Sequence, residues 1–141
     1  MFDFTKEYDS GFEPLNPGIY EARITKAEWK TSRAGSEYLN VGFETLESGR
    51  WVFEIFNLFH ATEKVRNIAM GSMKGLLTAV GTDIEKMGKV SKELLIDAIA
   101  DQEIKIRIKI QKDAEYGDKN KVLSYYPMER VKEITPDEIP F

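Results

Sequence analysis

The spacing of apolar residues along this chain of 141 residues changes period twice, and each change marks a different kind of element. Alternation at every second position is typical of a half-buried strand, whereas repeats at three and four residues are typical of an amphipathic helix. The clearest alternation runs from Gln102 to Lys112, with isoleucine at 104, 106, 108 and 110. This segment is predicted to be a strand with its isoleucine face on a core and its charged face in water.

Four other segments are predicted to be strands, and they cover residues 19–29, 38–46, 51–59 and 122–131. In the first of them, Tyr20, Ala22 and Ile24 share one face. In the second, alternation turns Leu39, Val41 and Phe43 inward and leaves Tyr38, Asn40, Gly42 and Glu44 outside. The third is nearly continuously apolar, so alternation does not decide which of its faces is buried. Pro127 in the last one is expected at an edge or a bulge, because proline has no N–H to donate to a ladder.

A helical region separates the third predicted strand from the isoleucine strand. Apolar residues at 65, 68, 69, 73, 76, 77 and 80 predict a helix from its N-cap Thr62 to Val80, with Gly81 as the stop. After a polar connector over 82–90, Ser91 is suited to cap a shorter helix that ends at Ala100. The order of elements is therefore three strands, a helix, a short helix and two strands.

This order predicts an α+β protein that is mainly β with helices. A helix between the third and fourth of five strands is the arrangement of the OB-fold, a five-stranded Greek-key barrel. An open α+β sheet of another topology has the same order of elements and remains the alternative. We expect an N-terminal arm over 1–17, the OB-fold domain over 18–131 and an acidic C-terminal tail over 132–141.

The net charge of −4 is distributed unevenly along the chain. Residues 1–18 carry −3, residues 133–141 carry another −3, and the body between them carries +2. Acidic ends beside a basic body are common in interaction proteins. The chain has no cysteine, no apolar stretch of membrane-spanning length and no secretory signal pattern, so a cytoplasmic protein without membrane contact is expected.

Binding of single-stranded DNA without sequence preference needs basic residues for the phosphates and exposed rings for the bases. An OB-fold binds through its second and third strands and through the loops after its first and fourth strands. The residues predicted to contact nucleic acid are the aromatic Trp29, Tyr38, Trp51, Phe53, Tyr116 and Tyr125 and the basic Lys30, Arg33, Lys105, Arg107, Lys109, Lys112, Lys119 and Lys121.

Several of these residues also have a purely structural interpretation. Trp51 and Phe53 equally fit the interior of a barrel, and the basic face of the isoleucine strand fits a solvated surface. In the pair Tyr125-Tyr126, one ring is expected in the core and the other outside. Two further rings are predicted to be core residues, Phe56 and Phe59.

Catalytic signals are weak in this chain. His60 is the only histidine, and no nucleophile or carboxylate motif adjoins it. No phosphate-binding loop has the required spacing, and the acidic pairs are too local to indicate a metal site. We therefore expect no enzymatic activity, no cofactor and no metal.

The last five residues, Asp137-Glu138-Ile139-Pro140-Phe141, combine two acids with an aromatic terminus. In water such a segment is a peptide ligand, with an apolar tip for a pocket and carboxylates for a basic rim. It resembles the C-terminal tip of bacterial single-stranded DNA-binding proteins, which recruits enzymes of replication, recombination and repair. The resemblance implies that Asp137, Glu138, Ile139, Pro140 and Phe141 bind partner proteins. The alternative is that the acidic tail competes with DNA for the binding groove by mimicking its negative charge.

The body, over residues 14–126, resembles a family of phage-encoded replication-module proteins of long unknown function that includes single-stranded DNA-binding members. The segments that carry this resemblance are PGIYEA at 17–22, KTSRAGSEYL at 30–39, FNL at 56–58 and LLTAVG at 76–81. Together with the tail, it implies a sequence-independent single-stranded DNA-binding protein of phage DNA replication or recombination, acting in the cytoplasm of the infected host.

Two other classes of function stay open at this point. One is an OB-like adaptor that binds another replication or recombination protein without contacting DNA. The other is a nuclease or another nucleic-acid enzyme, for which the sequence offers no convincing set of catalytic groups. Self-association into a homo-oligomer is also left open by the sequence.

Overall fold

The computed structural model describes residues 14–112 and 117–128. Its elements are β1 (Gly18–Thr31), β2 (Glu37–Thr45), β3 (Trp51–Phe56), α1 (Glu63–Ala79), α2 (Ile84–Met87), α3 (Lys92–Ile99), β4 (Glu103–Gln111) and β5 (Lys119–Pro127). The predicted order of elements is confirmed, and α2 is a short addition within the stretch predicted to be a connector. Residues 1–13 of the predicted arm and the predicted tail over 132–141 lie outside the described residues.

The five strands form one antiparallel sheet in the order β3-β2-β1-β4-β5. The sheet is open, because β3 and β5 are its two edges and no backbone ladder joins them. The predicted α+β class, mainly β with helices, is thus confirmed. Pro127 ends the edge strand β5, as its missing N–H requires.

β1 pairs with both β2 and β4, and a bulge lies in the middle of the strand. Its residues from Gly18 to Arg23 pair with β4, and its register with β2 shifts between Ile24 and Lys26. A bulge increases the local twist of a strand and re-aims the side chains beyond it. After the bulge Trp29 lies opposite the fully buried Leu39, so the two side chains share the inner face.

The inner face of the sheet and one side of α1 enclose the core. The alternating residues of β1, β2 and β4 are buried as predicted, among them Ala22, Ile24, Leu39, Val41, Phe43, Ile104, Ile106 and Ile108. From α1, the side chains of Met73, Leu76 and Leu77 join the same cluster. Each valine, leucine, isoleucine, phenylalanine or methionine side chain among them contributes about 1.5–3 kcal/mol when it is fully buried.

Thr62 is the N-cap of α1, as predicted, but its side chain makes no capping hydrogen bond. The other two predicted helix-end signals, Gly81 and Ser91, act as expected. Gly81 follows α1 with φ of +91°, and the next residue, Thr82, donates its N–H to Leu77 O at 2.9 Å. This left-handed glycine closes the last turn of the helix. At the start of α3, Ser91 Oγ accepts from Leu94 N at 3.1 Å. Within the part of the chain that the structure describes, no helix has both the length and the apolar character needed to cross a membrane.

A single carboxylate joins the two edges of the open sheet. Glu54 on β3 accepts the N–H of Val122 on β5 at 2.9 Å and pairs with Lys121 Nζ at 3.0 Å. The Glu54 side chain is only 8% exposed and its hydrogen bond to Val122 is buried, whereas Lys121 is 46% exposed. Beneath Glu54, the Tyr125 ring of β5 lies 5.7 Å from Phe43 and 6.4 Å from Phe56 between ring centroids.

The segment before β1 is anchored on β5 as well. Asn120 Oδ1 accepts the Leu15 N–H at 2.8 Å, and Asn120 Nδ2 donates to Leu15 O at 2.9 Å. Leu15 also packs against the core cluster. The last residues of the predicted arm are therefore part of the folded body.

We predict that Glu54→Ala lowers the free energy of unfolding by about 1–3 kcal/mol, because it removes the acceptor of the buried Val122 N–H. Urea denaturation followed by circular dichroism measures this loss. Asp97→Ala, which removes an exposed carboxylate from α3, is the control and should change stability by no more than about 0.5 kcal/mol. Equal, small effects of the two substitutions would show that Glu54 does not hold the edges together.

Candidate nucleic-acid interface

A groove of about 420 Å³ follows the outer surface where β3 and β5 approach each other. It is bordered by the β1–β2 loop, β2, β3, the end of β4 and the start of β5. We name it the sheet groove, and its lining residues are Ser32, Tyr38, Phe53, Glu54, Ile55, Asn57, Gln111, Lys119, Asn120 and Lys121. Four of them, Tyr38, Phe53, Lys119 and Lys121, are among the predicted nucleic-acid contacts.

The outer face of β3 carries a pair of stacked rings. Trp51 and Phe53 are 42% and 48% exposed, while Val52 and Phe56 of the same strand are buried. The ring centroids of Trp51 and Phe53 are 5.6 Å apart, and the ring planes differ by 14°. The structural interpretation that these two rings fill the interior is therefore wrong, and both rings are available to a ligand.

Gly42 on β2 makes room for this ring pair. It lies directly opposite Phe53 in the antiparallel register. A Cβ on Gly42 would come within 2.8 Å of Phe53 Cε1 and 2.9 Å of Trp51 Cζ3, closer than real Cβ contacts allow. Gly42 was predicted on the outer face, and it is buried there by the two rings. The absence of a side chain at 42 thus lets both rings lie over the sheet.

Tyr38 and Lys30 are partners across β1 and β2 at the end next to the first loop. Tyr38 lines the sheet groove, and the predicted contact Arg33 is exposed in the adjoining loop. Lys30 Nζ lies 3.3 Å from Glu28 Oε1. The hydrogen bond from Lys30 lowers the pKa of the Glu28 carboxyl, so this carboxylate stays charged and paired.

Basic residues continue from the sheet groove along β4 and β5. Lys109 lies opposite Lys121, and beyond the ends of these strands Lys112 Nζ is 3.5 Å from Asp118 Oδ2. Further from the groove, Arg107 and Lys105 lie on the same outer face of β4. Of the two groove lysines, Lys121 is already neutralised by Glu54, so Lys119 provides the groove's uncompensated charge in the described part of the chain.

An acidic residue at the far end of β4 is also paired. Glu103 Oε2 lies 2.7 Å from Arg23 Nη2, and this hydrogen bond raises the pKa of the exposed Arg23 guanidinium. Together with the Glu28 contacts, this leaves two of the outer-face carboxylates engaged by neighbouring bases. The repulsion that these carboxylates would exert on a phosphate chain is correspondingly reduced.

The structure does not bring Trp29 to the sheet groove. The ring lies on the inner side beyond the β1 bulge, with its centroid 5.6 Å from that of Phe59, and its Nε1 donates to Lys92 O at 3.4 Å. Trp29 therefore does not line the sheet groove, and its assignment as a nucleic-acid contact stays a prediction. Phe59 was predicted to be buried, but it is 51% exposed and forms the outer wall of this cluster.

Tyr125 is also corrected by the structure. Its ring packs on Phe43 and Phe56, and burial raises the pKa of its phenol. It is not exposed for stacking with a base, whereas the neighbouring Tyr126 is exposed on the outer face opposite Lys105. The predicted split of the tyrosine pair is confirmed, with Tyr125 as its inner member. The predicted nucleic-acid contact Tyr116 and the predicted partner-binding residues 137–141 lie outside the described residues.

Sequence reasoning missed Glu54, Ile55 and Asn120, which all line the sheet groove. An acidic residue inside the apolar run of β3 was a usable sign of a buried partner for Glu54. The exposure of Ile55 could not be predicted, because apolar residues on both faces of β3 leave the buried face undecided. Nothing in the local sequence distinguishes Asn120. Its side chain bonds the backbone of Leu15, which is 105 positions away in the sequence.

Across residues 14–112 and 117–128, no three side chains of histidine, cysteine, aspartate or glutamate come together in a way that would hold a metal ion. The side chains of the sheet groove can stack on flat rings, form hydrogen bonds and attract anions. Rings, side-chain amides, a hydroxyl and lysines line one groove at the junction of two strand edges.

The chain is a small α+β protein, and its open antiparallel sheet carries a groove lined by basic and aromatic side chains. The chain belongs to the family described as "protein of unknown function (DUF669)", which matches residues 2–137. A comparison with curated proteins finds no match.

We predict that Gly42→Ala displaces the Trp51–Phe53 ring pair with little loss of stability, because the exposed rings can move away from the new methyl group. In a Trp29→Phe background Trp51 is the only tryptophan, and its near-ultraviolet circular dichroism should fall. Gly71→Ala is the control, since a Cβ there meets no atom within 4 Å. An unchanged Trp51 signal in Gly42→Ala would contradict the close approach of rings and strand.

Proposed function

We propose that this protein binds single-stranded DNA without sequence preference, in phage DNA replication or recombination. The observation that carries the proposal is the sheet groove, where the exposed Phe53 ring, Tyr38 and two lysines line one channel. Such a channel offers both interactions that single strands need, which are stacking on bases and attraction of phosphates.

The proposal includes an OB-fold. In its support, the strand order β3-β2-β1-β4-β5 with β5 returning to β3 is the order that closes a five-stranded barrel. The side chain of Glu54 occupies the seam where the last backbone ladder of such a barrel would run. The groove borders β2, β3, the first loop and the start of β5, and these are the surfaces through which OB-folds bind oligonucleotides.

The groove chemistry favours single strands over duplexes. A ring stacks on the flat face of a base, and this face is hidden between neighbouring base pairs in a duplex. Stacking tolerates any base, because every base has such a face. The small polar groups of Ser32, Asn57 and Gln111 sit among the rings and lysines, where they can donate to or accept from whichever base edge is near.

The proposed function also has a second part. Residues 137–141 would recruit replication or recombination enzymes, as their likeness to the tip of bacterial single-stranded DNA-binding proteins implies. The strand-binding groove and the recruiting segment would then act at different places on the protein. The protein would work in the host cytoplasm, where it needs neither cofactor nor metal for these non-covalent tasks.

Fluorescence anisotropy of a labelled thirty-base single strand tests the strand-binding part. We expect binding to the single strand and none to the matched duplex at low salt. Phe53→Ala should weaken the single-strand affinity by roughly 5- to 150-fold, because each base stacked on a ring contributes about 1–3 kcal/mol. The affinity should also fall as salt rises, since phosphate contacts release counterions.

Phe59→Ala is the matched control for Phe53→Ala, because Phe59 is 51% exposed but lies away from the sheet groove. It should leave the single-strand affinity within about twofold. Equal losses in both variants would place the binding site elsewhere. No binding of the single strand at low salt would overturn the proposal and favour the adaptor, whose capture of a partner protein should then depend on Phe141.

A further inference from the structure

A second groove, of about 560 Å³, lies on the helical side of the protein. Its lining is mainly apolar and includes Met70, Met73 and Met87, three of the five methionines in the chain. Trp29 and Phe59 form one wall. We name it the methionine groove. Methionine and aromatic side chains adapt to an apolar peptide because thioethers are flexible and polarisable.

The rim of the methionine groove is basic. Lys74, Lys89 and Lys92 line it, and none of its described lining residues is acidic. Lys92 pairs with Glu37 at the edge and also lies 5.2 Å from the centroid of the Trp29 ring. Within the described residues, Lys74 and Lys89 form no ion pair, so their charges are uncompensated there.

The exposed apolar lining of the methionine groove is suited to a ligand with apolar side chains. Phe59, Met70 and Val90 are exposed at this surface, and contiguous apolar surface of this kind marks a binding site. The complementary ligand is a short segment with bulky apolar side chains next to carboxylates. Residues 137–141 have this composition, with Asp137 and Glu138 before Ile139 and Phe141.

The chain can reach this groove within one molecule. Tyr125 packs beside α1, since a Cβ on Gly75 would lie 3.9 Å from Tyr125 Cδ2. Gly75 is the neighbour of the rim residue Lys74. The nine residues from 129 to 137 span up to about 30 Å when extended, whereas a helix with its side chains is about 10–12 Å across.

We propose that residues 137–141 dock in the methionine groove of their own molecule. Ile139 and Phe141 enter between the methionines and the Phe59 wall, and Asp137 and Glu138 meet Lys74 and Lys89. A docked segment is hidden from partner proteins, so release from the groove precedes recruitment. Docking does not depend on DNA binding, because the methionine groove and the sheet groove share no lining residue, whereas its effect on recruitment rests on the recruiting role proposed above.

Methyl spectra of the protein labelled with ¹³C in the methionine ε-methyl groups test the docking. The full chain is compared with a chain that ends at Pro136. We expect the signals of Met70, Met73 and Met87 to shift on truncation, while that of Met128, outside the groove lining, serves as the reference. Adding a peptide of residues 135–141 to the shortened chain should move the three signals back. Unchanged groove signals in both steps would overturn the proposal.

Reversing the charge of the rim lysines tests whether the peptide binds at the methionine groove. A general effect of truncation would not depend on these lysines. In the shortened chain, Lys74→Glu with Lys89→Glu should weaken peptide affinity by about tenfold or more. The control is Lys64→Glu with Lys86→Glu, two exposed helical lysines that do not line the groove, and it should change affinity by less than about threefold. Equal weakening in both pairs would contradict the basic rim.

Dilution of the full chain decides between one molecule and two. Docking within one molecule leaves the groove methyl signals independent of protein concentration. Signals that return toward those of the shortened chain on dilution would overturn docking within one molecule and assign the occupant to a second copy.

Discussion

The architecture depends on how the two edges of an open sheet are held together. The Glu54 side chain reaches from β3 to a backbone N–H and a lysine of β5, and its carboxylate is largely buried while Lys121 remains partly exposed. The attraction within such an ion pair offsets the free-energy cost of removing the charges from water only under two conditions. The geometry must be good, and both carboxylate oxygens must accept hydrogen bonds or pair with a cation. Here one oxygen accepts from Val122 and the other pairs with Lys121, while the Phe43, Phe56 and Tyr125 rings fill the space beneath. The sheet groove exists because these contacts close the seam without a backbone ladder.

Two surfaces of different chemistry follow from this arrangement. The outer side of the seam offers rings, amides and lysines, with Gly42 making room for the Trp51–Phe53 pair. The helical side offers methionines and aromatic rings under a lysine rim. A phosphate chain with flat bases suits the first surface, and a short acidic and apolar peptide suits the second. The two proposed tasks use separate grooves, so the proposed strand binding does not require the peptide segment to leave.

Alternation in the sequence predicted most strands and the inward residues of β1, β2 and β4, because a half-buried strand must alternate. It failed where a bulge changes the parity. The bulge between Ile24 and Lys26 turns Trp29 to the helical side, and the irregularity near Leu123 turns Tyr125 into the core. The sequence also could not predict which face of β3 is buried. Apolar residues occupy both faces of this strand, and Glu54 is the single charged residue among them. The groove itself depends on contacts between residues more than 60 positions apart, as Glu54 and Val122 show, and no local pattern encodes these.

The central claim is that a single strand lies in the sheet groove, and amide chemical-shift mapping tests it most directly. The ¹⁵N-labelled protein is titrated with a short thymidine oligonucleotide at low salt. We expect the amide shifts of Tyr38, Phe53, Ile55 and Asn120 to change most and those of Met73 and Leu95 to stay unchanged. Shifts concentrated around Met73 and Leu95, or no shifts at saturating oligonucleotide, would contradict the central claim.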